Sequence, residues 1–138
     1  MTKDFQIKYT SVEVIDKDLH VYDIHNCYKF KGVALTYTSE TKIEFYFEKI
    51  VGEWVKEIDP KKITFVFKGL KYLEFSKFFF IEQSSTIDEL GYKAYEDVDY
   101  DWLMSEEHFT GEQHFIFRFI YGEHIRVFSE RIELLKEY

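Results

Sequence analysis

The sequence predicts a mainly β protein, an antiparallel β-sandwich or small barrel of about seven to nine strands, with one or two short helical turns in 84–107. Three observations predict it. Apolar and polar residues alternate with period two along most of the chain, the signature of half-buried antiparallel strands. Glycine-centred turn signals separate the alternating runs. No Gly/Ser-rich linker, internal repeat or low-complexity tract intervenes, so residues 1–138 read as a single domain, a size that supports one core.

The elements follow in chain order. Phe5, Ile7 and Tyr9 share one face of an opening strand. Tyr28 and Phe30 are in phase with each other, whereas Val33, Leu35 and Tyr37 take the opposite parity, with Gly32 between them. A glycine at a change of phase predicts a β-bulge. Ile43, Phe45 and Phe47 form an apolar face opposite Glu44, Tyr46 and Glu48. Ile63-Thr64-Phe65-Val66-Phe67 is apolar on both faces and reads as the central strand. In 114–121, Phe115, Phe117, Phe119 and Tyr121 alternate with His114, Ile116, Arg118 and Ile120. Gly52-Glu53, Lys68-Gly69 and Gly122-Glu123 each lie between apolar residues and predict hairpin turns, because glycine reaches the positive φ such turns need. Asp59-Pro60 marks a further loop, and the run Phe78-Phe79-Phe80-Ile81 reads as a buried strand or packed loop.

Composition narrows the class of function. The 46% hydrophobic content, with 15 Phe and 11 Tyr, supplies a large core, since buried apolar area stabilises by about 25 cal/mol per Å². Cys27 is the only cysteine, so no internal disulfide forms and a reducing, cytoplasmic setting is expected. The first residues hold no apolar stretch of the secretory type, and no run reaches the roughly 18 apolar residues of a membrane span. A pI near 5.1 argues against nucleic acid, whose phosphates call for a basic surface.

The charge is unevenly placed. Residues 82–112 hold ten acids and one base, Lys93, a net of −9; the rest holds 17 bases and 16 acids, which recovers the chain's −8. Within this segment Thr86-x-x-Glu89, with Ile87, Leu90 and Gly91, has the form of a capping box over a single helical turn. Trp102-Leu103-Met104 ahead of Ser105 reads as another. Glu96-Asp97-Val98-Asp99-Tyr100-Asp101 between them is too dense in carboxylates for a strand and reads as a solvated loop.

Catalytic and metal motifs are weak. Asp97-x-Asp99-x-Asp101 resembles the start of a calcium loop, but Trp102 and His108 stand where an EF-hand needs glycine and a bidentate glutamate. Glu107, His108, Glu112 and His114 match no zinc spacing. His25 and Cys27, two apart, would share a strand face, yet Tyr28 and Phe30 beside them suit a buried structural thiol. No GxSxG elbow, phosphate loop or dinucleotide fingerprint occurs. The sequence therefore names no catalytic residue, no metal and no cofactor.

Two stretches carry a resemblance. Ile63 to Phe75, written ITFVFKGLKYLEF, and His114 to Val127, written HFIFRFIYGEHIRV, flank the acidic insertion. This layout, about half the chain, resembles small single-domain bacterial proteins, including the immunity proteins that neutralise polymorphic toxins. The resemblance implies an acidic protein that binds a basic partner by surface contact, and it transfers no functional residue.

The functional expectation is a non-catalytic binding protein that meets a basic protein partner through the acidic, aromatic-bearing segment. The surface residues are Glu96, Asp97, Asp99, Tyr100, Asp101, Trp102, Glu106 and Glu107, because Tyr and Trp concentrate at binding hot spots and carboxylates steer basic partners. Two alternatives stand beside it: a β-barrel that holds an apolar or aromatic ligand in a ring-lined cavity, and a metal-dependent hydrolase built on the His/Glu cluster near 106–114. Nothing in the sequence specifies an oligomeric state.

Overall fold

The computed structural model describes residues 1–8, 11–77 and 85–138. Tyr9, the run Phe78-Phe79-Phe80-Ile81 and the acid Glu82 therefore lie outside the described residues. Ten strands appear in order: β1 Thr2–Lys3, β2 Phe5–Ile7, β3 Glu13–Asp16, β4 Val21–Asp23, β5 Tyr28–Tyr37, β6 Thr41–Lys49, β7 Lys62–Phe75, β8 Ile87–Lys93, β9 His114–Phe119 and β10 His124–Glu137. A one-turn helix, α1 Ile24–Cys27, follows β4, and a 3-10 turn spans Glu106–His108. The count exceeds the predicted seven to nine because β1 and β4 hold only two or three residues each, too short to show a period.

Seven strands form one sheet in the order β5-β6-β7-β10-β9-β8, with β1 added parallel to β10; β2-β3-β4 form a second sheet. Every other pairing is antiparallel. The large sheet is curled. Three strand spacings separate β6 from β9, roughly 14 Å on a flat sheet, yet Phe45 and Phe117 have ring centroids 5.1 Å apart. Phe30 on β5 and Phe119 on β9 are likewise 5.5 Å apart. Both sheets stay open, so the barrel alternative is not formed: among the described residues β5 meets the segment leading into β8 through a backbone bond from Phe30 N–H to the Ser85 carbonyl at 2.8 Å, rather than through a ladder.

The concave side is filled with rings. Phe45, Phe47, Phe65, Phe67, Phe115 and Phe117 are fully buried and pack edge-to-face, tilted or, for Phe47 and Phe117, stacked at 4.9–6.1 Å, separations at which aromatic rings attract. The small sheet caps one end of this core, with Phe5 5.4 Å from Phe65. Asp16 on β3 anchors the cap by accepting from Lys136 at 2.6 Å and from the Tyr22 hydroxyl at 2.8 Å. Burial pushes this carboxyl up, but hydrogen bonds from Lys136, His20, Tyr22 and Asp18 outweigh it and hold it near 2.

Several sequence expectations are met and several are corrected. β7 is central, paired with β6 and β10, and the register slips at Gly32 as the phase change requires. Gly122, at φ 87°, makes the β9–β10 turn. Lys68-Gly69 makes no hairpin: β7 runs through it, and Gly69 at φ 68° lies beside a bulge against β10. Gly52 lies in the longer β6–β7 connection, where its carbonyl accepts from Val55 N–H at 3.1 Å. Thr86-x-x-Glu89 caps no helix, because Ile87–Lys93 is strand β8. A register shift between Ile87 and Glu89 puts Ile87 and Leu90, three apart, on one face and so imitates helical spacing. His25 and Cys27 lie on α1 rather than on a strand, and the His25 imidazole Nδ1 bonds the Ile87 carbonyl. Among the described residues no helix is long and apolar enough to cross a membrane.

Candidate functional site

Residues 94–113 leave β8 and fold back as a strap across the outer face of β8, β9 and β10. Strand parity explains why they do. Phe115, Phe117, Ile125 and Val127 point into the core, so Lys93, His114, Arg118 and Arg126 point outward, and the strap's acids and carbonyls cover them. Met104 pairs antiparallel with Tyr92 through two bonds of 2.8 and 3.0 Å, which closes the free edge of β8. The strap crosses so closely at Gly91 that a Cβ there would meet Leu103 Cβ at 2.7 Å and the Met104 carbonyl at 2.9 Å.

Two arginines hold the strap. Arg126, almost fully buried, donates to the carbonyls of Asp97 at 2.5 Å, Ala94 at 2.9 Å and Tyr95 at 3.0 Å, to the Tyr100 hydroxyl at 3.0 Å, and through Nε to His114 Nδ1 at 2.8 Å. Arg118 donates to the carbonyls of Tyr100 at 3.0 Å and Asp101 at 3.2 Å, and its other nitrogens pair with Asp88 at 3.0 Å and Glu89 at 2.5 Å. A guanidinium with five donors in a fixed fork satisfies several carbonyls at once, which an ammonium does not. Burial lowers the His114 pKa to about 4, with the Arg126 charge adding to the effect, so the imidazole is neutral and accepts at Nδ1.

Tyr100 is a strut. Its ring stacks on His124 at 3.7 Å and 16°, and its hydroxyl donates to Glu74 at 2.9 Å. Burial pushes the Glu74 carboxyl up, but hydrogen bonds from Tyr72, His124 and Tyr100 outweigh it and bring it to about 2. Lys93 is fully buried, with Nζ 3.2 Å from the Trp102 ring centroid and 3.3 Å from Asp97. Asp97 is held below the usual carboxylate range, first by the Asp99 backbone N–H and then by Lys93. The alternating aspartates converge on no cation site: Asp97 accepts from Asp99 N–H at 2.8 Å, and Asp99 from Asp101 N–H at 3.0 Å. Each side chain caps the backbone two residues on.

At the far end Glu106 points inward. It binds Lys3 at 2.7 and 2.8 Å, the Ile7 N–H at 2.8 Å and the Tyr92 hydroxyl at 2.8 Å. Lys3 Nζ also sits 4.7 Å from the Phe109 ring centroid. Burial lowers the Lys3 pKa against the opposing pull of Glu106. Glu107 is exposed and pairs with His108 at 3.2 Å. A surface cleft of 870 Å³ runs beside Lys3 and Glu106. Among the described residues no three His, Cys, Asp or Glu groups converge to hold a metal.

The eight sequence-chosen residues therefore divide. Asp97, Tyr100 and Glu106 turn inward and fix the strap. Glu96, Asp99, Asp101 and Glu107 stay in solvent, and Trp102 is 49% exposed with Lys93 under its ring. Tyr95 at 75% and Val98 at 77% exposure join the outward set. The sequence reading missed Arg118, Arg126, His124 and Glu74 as the strap's supports. Basic residues at the outward parity of β9 and β10, matched to an acidic insertion, were the available signal. No family model, curated protein or solved structure matches the chain.

Proposed function

We propose that the protein is a non-catalytic binding protein that meets a basic protein partner through the outward side of the strap. One observation carries the reading. The strap backbone is fixed by five carbonyl contacts from Arg118 and Arg126, while Glu96, Asp99 and Asp101 stand in solvent beside Tyr95 and Trp102 with no cation paired to any of the three among the described residues. A surface held in place before contact loses little entropy on binding, and its unneutralised charge steers a basic partner. The buried, solitary Cys27 fits a reducing, cytoplasmic setting. The resemblance of its layout to that of immunity proteins would make the partner a basic toxin domain.

The test is to neutralise the three outward acids together as Glu96→Gln, Asp99→Asn and Asp101→Asn. The amide oxygen introduced at position 99 keeps the cap on the Asp101 N–H, so the strap stays in place. Affinity for hexa-lysine at low salt should fall by about tenfold or more, with a shallower salt dependence. Unchanged affinity would sink the reading.

A further inference from the structure

We infer that this surface selects arginine over lysine: an extended, arginine-bearing segment of the partner lies along the row of rings Tyr72, Phe128 and His114 at the strap's border, next to Tyr95 and Glu96. This rests on the acidic-surface reading proposed above and names the residue type it takes.

The row arises from register. Tyr72 on β7 pairs with Phe128 on β10, and His114 on β9 pairs with Lys93 on β8, so their outward side chains form a line across four strands. The His114 ring lies 5.1 Å from Phe128 at 29° and 5.0 Å from Tyr72 at 36°. Tyr95 of the strap meets it edge-on at 6.1 Å and 75°. Tyr72 and Tyr95 are exposed, so part of this aromatic surface faces solvent beside Glu96, which carries no paired cation among the described residues.

A second observation points outward. His114 is only 5% exposed, and because Arg126 Nε donates to its Nδ1, the ring proton sits on Nε2, on the side away from Arg126. That N–H meets no acceptor among the described residues. It is also not sealed off: the fully enclosed unpaired side-chain atom among those residues is Glu123 Oε2. A donor with so little room for water gives up little hydration when a bound chain brings it an acceptor. Arginine has no side-chain acceptor, so the group that fits is a backbone carbonyl of the segment that carries it.

The chemistry of the row favours guanidinium. A planar, weakly hydrated cation stacks on ring faces while its edge pairs with a carboxylate, whereas an ammonium is compact and strongly hydrated.

The experiment titrates the ¹⁵N-labelled full chain with acetylated, amidated hexa-arginine and hexa-lysine, which carry equal charge. Hexa-arginine should bind about tenfold more tightly. It should also shift Tyr72, Tyr95 and the His114 Nε2 proton, in addition to the 96–102 amides that both peptides move. The double variant Tyr72→Leu, Tyr95→Leu should remove the discrimination, with hexa-arginine losing about tenfold more affinity than hexa-lysine so that the two bind equally. Equal affinities in the wild type, or discrimination that survives the double variant, would overturn the arginine inference and leave the acidic-surface reading standing. Failure of both peptides to bind at low salt would overturn both.

Discussion

The two faces of β8, β9 and β10 are buried to a similar depth by different means. On the inner face Phe115, Phe117, Ile125 and Val127 are fully buried among other rings. On the outer face Lys93, His114 and Arg126 are buried almost as completely, but under a strap that Lys93 and Arg126 hold by hydrogen bonds and charge. Area removed from water accounts for the first, with little dependence on direction. The second holds only while each donor has its acceptor, since an unpaired buried charge is costly. The inner face therefore sets how stable the fold is, and the outer face sets where one loop lies.

Truncation separates the two faces most sharply. Phe117→Ala removes a ring that touches Phe45, Phe47, Phe65, Phe67 and Phe115, and should cost about 4 kcal/mol in chemical denaturation. In a Trp54→Phe background, the native fluorescence of Trp102 should not move, because the strap is untouched. Arg126→Met should cost about 3 kcal/mol, since it leaves His114 Nδ1 and three strap carbonyls without their donor. Here the Trp102 emission should shift as the strap loosens. If Phe117→Ala moved Trp102 as much as Arg126→Met does, the two faces would be one unit and the contrast would fail.

The same contrast appears in pH dependence. Folded His114 takes its proton only near pH 4, whereas an unfolded histidine does so near 6.5. Between those values the unfolded chain binds a proton that the folded chain does not. Stability should therefore fall by about 3 kcal/mol as pH drops from 6.5 to 4, and lie flat above that window. Asp16 and Glu74, held near 2, lose their contribution lower down, as pH falls from the ordinary carboxylate range towards 2. His114→Gln, whose amide oxygen can still accept from Arg126, should remove the upper step and leave the lower one. Denaturant midpoints measured from pH 7 to 3 check this, and a persisting upper step would assign it to another group.

How far the sequence foretold each face follows from the same physics. The inner face was legible because a strand with one apolar side writes itself as period two: Ile43-x-Phe45-x-Phe47 and Phe115-x-Phe117-x-Phe119 need no partner to be recognised. The outer face was not, because Arg118 and Arg126 look like ordinary solvent-facing residues until the strap is laid over them. Asp97, Tyr100 and Glu106 were expected to face a partner but are bonded within the molecule, since sequence places a carboxylate near a ring without saying which cation it meets. The short strands β1 and β4 escaped for want of length, and β8 was misread where its bulge mimics a helical step.

The smallest expected effect tests the contrast from the other side. Lys93→Met keeps the length of a fully buried side chain under the Trp102 ring while removing its charge. Replacing a buried ion pair by an apolar residue of similar volume is often neutral or stabilising. Asp97, the ionic partner, lies near the surface, so water can take over its free oxygen while its other oxygen still caps Asp99 N–H. Thermal unfolding should change by less than about 1 kcal/mol in either direction. A loss near that of Arg126→Met would mean that the charge of Lys93 itself secures the strap. A neutral result would give that role to the arginines, whose forks reach the strap's carbonyls, and would leave Lys93 as packing beneath Trp102.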